Sequence, residues 1–287
     1  MALVGRLMGA AVASERRRFR GDARPGVAVD RLNPGEVAAL WGAAVPVIFE
    51  ERADRWLEAR AHRWGWGPLD PDRNVAAAVV SLDLARALPA GLPCPAWARF
   101  RGRSWAAGGY ALVLPCYGPR GELVGLRARW TGAELPPADG ADEINPAGPG
   151  ALRGTVYACP VGRWLLSRGP EARRGDRPDP AAPDLRWDGR VLVVEGGPRW
   201  LRYAVEPGRA RVADGAGWAG AVLGVFPGGW RTDAPGRELA ARLTGADLVT
   251  VATAYPDDRT AAAAVATLKG AGARVGLVVT GGGTNGR

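Results

Sequence analysis

The chain has 287 residues, of which 47% are apolar and 23% charged, with a formal charge of +9 and a high content of glycine (42) and proline (24). That apolar share can bury a real core in one large or two small domains, which argues against an intrinsically disordered chain. Three widely separated cysteines, Cys94, Cys116 and Cys159, support neither a disulfide framework nor a zinc ribbon, and a reducing cytoplasm is the default compartment.

A net positive charge suits a polyanionic partner. The excess is spread along the chain, however: residues 1–189 carry 26 basic and 21 acidic side chains, and residues 190–287 carry 12 and 8. Only "ERRRFR" (Glu15 to Arg20) is dense, and a short basic run of this kind reads first as a solvated tail. The apolar stretch before it is too short to span a bilayer and has its charge on the wrong side for a signal peptide. Residues 1–32 therefore read as a basic, flexible arm of a soluble protein with no membrane partner. His62 is the single histidine, so acid–base chemistry based on histidine has one weak candidate.

Residues 33–100 read as a helical region. Asn33 and Pro34 form a cap-like start to "NPGEVAALWGAAVP", the stretch "FEERADRWLEARAHRW" repeats apolar positions at helical spacing, and "DPDRNVAAAVVSLDLARALP" predicts a further helix. The following "AGLPCPAWARFRGRSWAAGG" reads as loop. The period then changes: "YALVLPCYGPRGELVGLRARW" predicts strand, turn and strand, with Gly118 to Gly121 as the turn. "TGAELPPADGADEINPAGPGALRG" is loop by composition, and "TVYACPVGRWLLSRG" predicts a short strand and helix. Residues 168–187 are proline-rich and carry both charges, which predicts a mobile linker or a surface excursion between two lobes.

The last hundred residues alternate apolar strand runs with helical segments: "RVLVVEGG", "PRWLRYAVE", "AVLGVFPGG", "APGRELAARLTG", "LVTVATA", "RTAAAAVATLKGAG" and "RVGLVVT". Such alternation implies crossovers and a mostly parallel sheet, and ligands of such sheets gather at the carboxyl ends of the strands. Glu195 and the pair Asp257 and Asp258 fall at strand ends of this kind. A carboxylate at the tip of an apolar strand points to a cation, a solvated cleft or plain loop chemistry, because burying it unpaired is costly. Oxygen ligands from two neighbouring strand tips can hold Mg²⁺, which keeps several waters and needs only one or two carboxylates beside substrate phosphates. The glycines after Glu195 allow close backbone approach.

"VLVVEGGPRWL", then "AVLGVFPGGW", then "LVTVATAYPDDRTAAAAVATLKGAGARVGLV" resembles the Toprim domain, the metal-binding module shared by bacterial-type DNA primases, topoisomerases and some nucleases. Within that group the chain is most similar to the primases of phage and plasmid replication modules. "YALVLPCYGPRGELVGLRARW" is similar to the strand, turn and G-x-R-x-R strand that precede Toprim in the primase core, and "EINPAGPGALRGTVYAC" to the loop and strand after them. The resemblance covers roughly residues 100–280. It implies an α/β chain with a Toprim-like, mostly parallel sheet flanked by helices (residues 187–287), preceded by a smaller mixed α+β subdomain with its linker (101–186) and the helical region.

The resemblance further implies Glu195 as metal ligand or general base, Asp257 and Asp258 as ligands of Mg²⁺ or Mn²⁺, and Arg127 and Arg129 as contacts to template or nucleotide phosphates. Arg153 and Arg199 join them as candidate nucleic-acid contacts. Read from residue type alone, Arg127 and Arg129 fit equally well an exposed strand face laced with salt bridges. Trp105, Trp130, Trp200 and Trp230 are candidate base-stacking residues, although packing accounts for most of the 12 tryptophans. The chain departs from the family pattern in several places. Tyr255 stands where the first Asp of Asp-x-Asp belongs, Arg199 where an Asp often follows the first-strand turn, and Asp142 and Glu143 where a Lys precedes the Asn-containing loop. The zinc domain is absent, and no GxxxxGK[ST] loop marks a fused helicase.

The expected function is a primase-like nucleotidyltransferase that makes short RNA primers on single-stranded DNA from NTPs. Its helicase partner would be a separate chain. The alternatives are a Toprim protein whose metal site has decayed into a nucleic-acid-binding accessory, or a Toprim nuclease.

Overall fold

The computed structural model describes residues 32–46, 86–131, 143–147, 152, 154–180, 185–195, 218–225, 234–253 and 259–279. The first element, helix α1 (Pro34–Ala43), begins where the sequence places it. Asn33 Oδ1 accepts from the backbone N–H groups of Gly35 at 2.9 Å and Glu36 at 3.3 Å, satisfying donors that a helix start leaves unpaired. Two short strands, β1 (Val45–Pro46) and β2 (Arg86–Ala87), pair antiparallel. Arg86 to Pro89, the end of the stretch read as a helix, instead form β2 and the coil after it; the rest of that stretch, and the helix expected before it, lie outside the described residues.

The segment read as a loop contains order of its own. A 3-10 turn over Ala96–Ala98 leads into a small hairpin of β3 (Arg99–Phe100) and β4 (Arg103–Ser104). The expected strand–turn–strand unit follows as β5 (Leu112–Tyr117) and β6 (Leu123–Arg129), antiparallel from Leu112↔Arg129 to Tyr117↔Leu123. Every residue of β5 is buried because both its faces are covered. Leu112, Leu114 and Cys116 enter one core, and Val113 enters the other. Next come β7 (Glu143–Ile144) on the free edge of β6, β8 (Val156–Ala158) and helix α2 (Pro160–Arg168).

Residues 169–180, part of the expected linker, form a surface excursion pinned to the protein. Ala172 is fully buried, and Trp187 ties down the excursion by donating its backbone N–H to Asp176 C=O at 2.9 Å and accepting at its carbonyl from Gly175 N–H at 2.8 Å.

The carboxyl-terminal part is β9 (Arg186–Glu195), β10 (Trp218–Val225), helix α3 (Ala234–Arg242), β11 (Leu248–Thr253), helix α4 (Arg259–Gly270) and β12 (Val275–Val279). The strands β10, β9, β11 and β12 lie side by side in that order and all run parallel. β8 joins β10 antiparallel and touches β5 at Tyr117↔Val156, so one mixed α/β sheet runs from β7 to β12. Its larger core packs the sheet against α2, α3 and α4, with Trp187, Leu165 and Leu243 fully buried. Gly162 is required on α2, since a Cβ there would meet the Val222 carbonyl at 2.8 Å. The smaller core places α1 and Trp97, Trp105 and Tyr110 against β5 and β6. No described helix is long and apolar enough to cross a membrane.

Candidate functional site

Parallel strands built from β-branched runs end together, and here the register fixes which ends meet. Val194 pairs with Ala252 of β11 on one side and Gly224 of β10 on the other; Glu195 pairs with Val225. One step beyond Ala252, Thr253 closes β11 level with Glu195, about 4.8 Å away in the pairing direction. The chain leaves β9 toward β10 on one side and returns as β11 on the other, which makes this end a topological switch point where such sheets open a crevice.

Only the backbone of Glu195 is described. Asp257 and Asp258 lie outside the described residues, as do Tyr255, Arg153, Arg199, Trp200 and Trp230. Covalent connectivity confines the acidic pair to the five-residue connection between Thr253 and Arg259 of α4. The first turns of α4 (Thr260, Ala261, Ala264) meet Val193, Val225, Val251 and Ala252 around a small apolar cleft. Carboxylates are the hard oxygen donors that a divalent cation such as Mg²⁺ takes. Among the described residues no three His, Cys, Asp or Glu side chains come together as a metal site.

Arg127 and Arg129 form a second feature, on β6. Two residues apart, they point to the same face, while Leu126 and Ala128 enter the smaller core. Neither lies on an exposed strand face: the residues are 4% and 2% exposed. Glu143, cross-strand from Arg129 on β7, bridges them, with one carboxylate oxygen on each guanidinium. Arg127 also donates to Asn145 Oδ1 at 2.7 Å and to the Tyr157 hydroxyl at 3.3 Å, and that hydroxyl donates to Glu143 at 3.1 Å. Both arginines make further contacts beyond these. The acidic residue that departs from the family pattern is therefore the counter-ion of the two arginines.

Burial governs the protonation of the neighbours. It pushes the Tyr157 phenol up to about 12, against the pull of the Arg127 guanidinium. The Cys116 thiol is likewise pushed up to about 12 by burial, partly offset by Arg127 and Thr155. Both groups are neutral near pH 7, so the network holds two cations and one anion among the described residues. Trp105 is fully buried in the smaller core and is a packing residue, whereas Trp130 is half-buried.

Sequence reasoning missed the β3–β4 hairpin and the Glu143 bridge. The first lacks the usual Asn-Gly turn signal, and the second had none, because the pairing of β7 with β6 depends on the fold.

No protein-family model matches the chain, and neither does any curated relative. Among solved structures it is similar to the Aquifex aeolicus primase, in a crystal structure of the zinc-binding and RNA polymerase domains. The identity is 17% and the TM-score 0.35, covering 64% of this chain and 37% of that one. The chain thus spans little more than a third of that structure's length, and at that TM-score the likeness does not fix a fold family.

Proposed function

We propose that the chain is a primase-like nucleotidyltransferase acting on single-stranded DNA and NTPs. One observation supports this reading: the register that brings the carboxyl ends of β9 and β11 together at the switch point, where β9 ends at Glu195 and the connection that carries Asp257 and Asp258 follows β11 in sequence. Glu195, Asp257 and Asp258 would hold Mg²⁺ or Mn²⁺, which supplies charge neutralisation on a triphosphate. In the reaction a 3′ hydroxyl bonds to the α-phosphorus of an NTP, the bond from that phosphorus to the bridging oxygen breaks, and pyrophosphate leaves. Where Asp257 and Asp258 alone held the ion, Glu195 would instead be the base that takes the hydroxyl proton. A phosphate contact from Arg127 or Arg129 would require the Glu143 carboxylate to give way.

Tyr255 in place of an expected Asp favours a second reading, a Toprim-like chain that keeps the fold and nucleic-acid binding but has lost the reaction. Incubation with NTPs, Mn²⁺ and single-stranded DNA separates the two. The first expects short RNA products that Glu195→Ala abolishes; the second expects none; shortened template would indicate a nuclease.

A further inference from the structure

We propose that the outer edge of β12 is the interface of a homodimer, in which β12 of a second copy of this chain pairs antiparallel with it across a two-fold axis at Leu277 and the two α4 helices pack together. This requires neither the metal site nor the reaction.

β12 ends the parallel run of strands: β11 pairs with one side of it, and no strand among the described residues pairs with the other. Exposed sheet edges are normally blunted by charged side chains, proline or a bulge. β12 has none of these. It reads Val275, Gly276, Leu277, Val278 and Val279 in unbroken register with β11, and its last three residues are 47%, 47% and 42% exposed. Among the described residues the only other exposed large apolar side chain is Val45, at the far end of the sheet. Such concentration on one strand marks a contact surface.

The edge is complementary to itself. Val249 and Val251 of the larger core pair with Val275 and Leu277, so Val275, Leu277 and Val279 stand on the α4 side of the sheet, with Gly276 and Val278 on the other. Antiparallel pairing about Leu277 sets Leu277 opposite its own copy, Val275 opposite Val279, and Gly276 opposite Val278. One face then carries only apolar pairs, and the other sets each valine beside a bare glycine. No charge lies within the paired segment. The two copies of Arg274, just before it, fall about 20 Å apart, well beyond a Debye length of about 8 Å.

A five-residue strand pair alone buries less than the roughly 1,000 Å² of a specific interface, so a second element has to join it. α4 rests on both β11 and β12. Strands lie about 4.8 Å apart, so an axis over the gap between β11 and β12 sits about 2.4 Å inside β12. Two-fold pairing then brings the α4 axes to about 10 Å, within the range at which helices pack. Between Arg259 and Lys269 at its ends, the exposed residues of α4 are Ala262, Ala263 and Ala266, while Ala261, Ala264 and Leu268 are buried. Side chains this small permit the approach. Pairing of this symmetry also occupies the edge completely, so assembly closes at two copies.

The test is sedimentation velocity of the full chain at about 0.15 M salt, where repulsion between chains of net charge +9 is screened. The native chain is expected to pass from monomer to dimer between about 1 and 100 µM. Leu277→Lys sets like charges directly opposite each other and should weaken the dimer at least about tenfold, as should Leu277→Glu. An equimolar mixture of those two variants should recover it, because each Lys then faces a Glu, a result specific to residue 277 facing its own copy. Ala266→Arg should also weaken the dimer, through α4 alone. At the dilute end all the chains should share one melting temperature, since both positions are exposed in the monomer. A variant as dimeric as the native chain, or a mixture no better than its components, would overturn the proposal. So would a native chain still monomeric at about 100 µM, which would leave the edge to another protein or to the residues after Val279.

Discussion

Replacing Glu143 with glutamine keeps the size of the side chain and removes the carboxylate that Arg127 and Arg129 share. The side chains involved are 5%, 2% and 13% exposed, so water does little to compensate. Removing one partner of a buried pair costs about 3–5 kcal/mol, because the remaining charge stays buried. Both guanidiniums keep other contacts, which places the expected loss at the lower end, about 3 kcal/mol. For a chain of this size that corresponds to a fall in melting temperature of roughly 5 °C. The internal control is the exposed pair Arg120–Glu238, 2.8 Å apart with side chains 69% and 39% exposed. Its loss in Glu238→Gln is expected to change stability far less, because both groups stay solvated. Urea denaturation of both variants measures the difference. If Glu143→Gln were no more destabilising than Glu238→Gln, the two arginines would not depend on that carboxylate, and the reasoning from burial would fail.

Gly162→Ala pushes a methyl group to 2.8 Å from the Val222 carbonyl and 2.9 Å from the Leu223 side chain, and should cost about 1–3 kcal/mol by thermal or urea unfolding. Cys159→Ala removes the sulfur that accepts from Gly162 N–H at 3.3 Å and Val222 N–H at 3.2 Å, with a loss of about 1 kcal/mol expected in the same assay. Alkaline pH should destabilise the fold through Cys116 and Tyr157, whose folded values of about 12 exceed ordinary values of 9.0 and 10.0. The unfolded chain then binds fewer protons than the native one, so their contribution is intact below about pH 9 and is lost as pH rises from there toward 12, by about 1.4 kcal/mol per pH unit for each group. Tyr157→Phe should flatten that limb above pH 10 in unfolding measured across pH; an unchanged limb would assign the loss elsewhere.

The parts of the fold set by local pattern were legible in the sequence. The Asn33 cap, the turn at Gly118 to Gly121, and the alternation that yields β9, β10, β11 and β12 all depend on near neighbours and on period. The adjacency of β9 and β11 followed from the crossover reading, and the register added that their ends are level. The surroundings of Arg127 and Arg129 were not legible, because strand alternation tells that two side chains share a face but not what covers it. The cover is Glu143, from a short strand inside a stretch whose composition reads as loop. The hairpin at Arg99–Ser104 was hidden for a related reason. Its turn is Arg-Gly where the common signal is Asn-Gly, so the usual cue was missing.

The most direct test of the central claim, that the acidic residues at the ends of β9 and β11 bind one divalent cation, is Mn²⁺ binding followed by electron paramagnetic resonance. The native chain, Glu195→Gln and Asp257→Asn/Asp258→Asn should be titrated in the absence of nucleotide. The account predicts a bound Mn²⁺ in the native chain and at least about tenfold weaker binding in each variant, a loss of about 1.4 kcal/mol or more. Equal affinity in all three proteins, or no Mn²⁺ bound by the native chain, would contradict it.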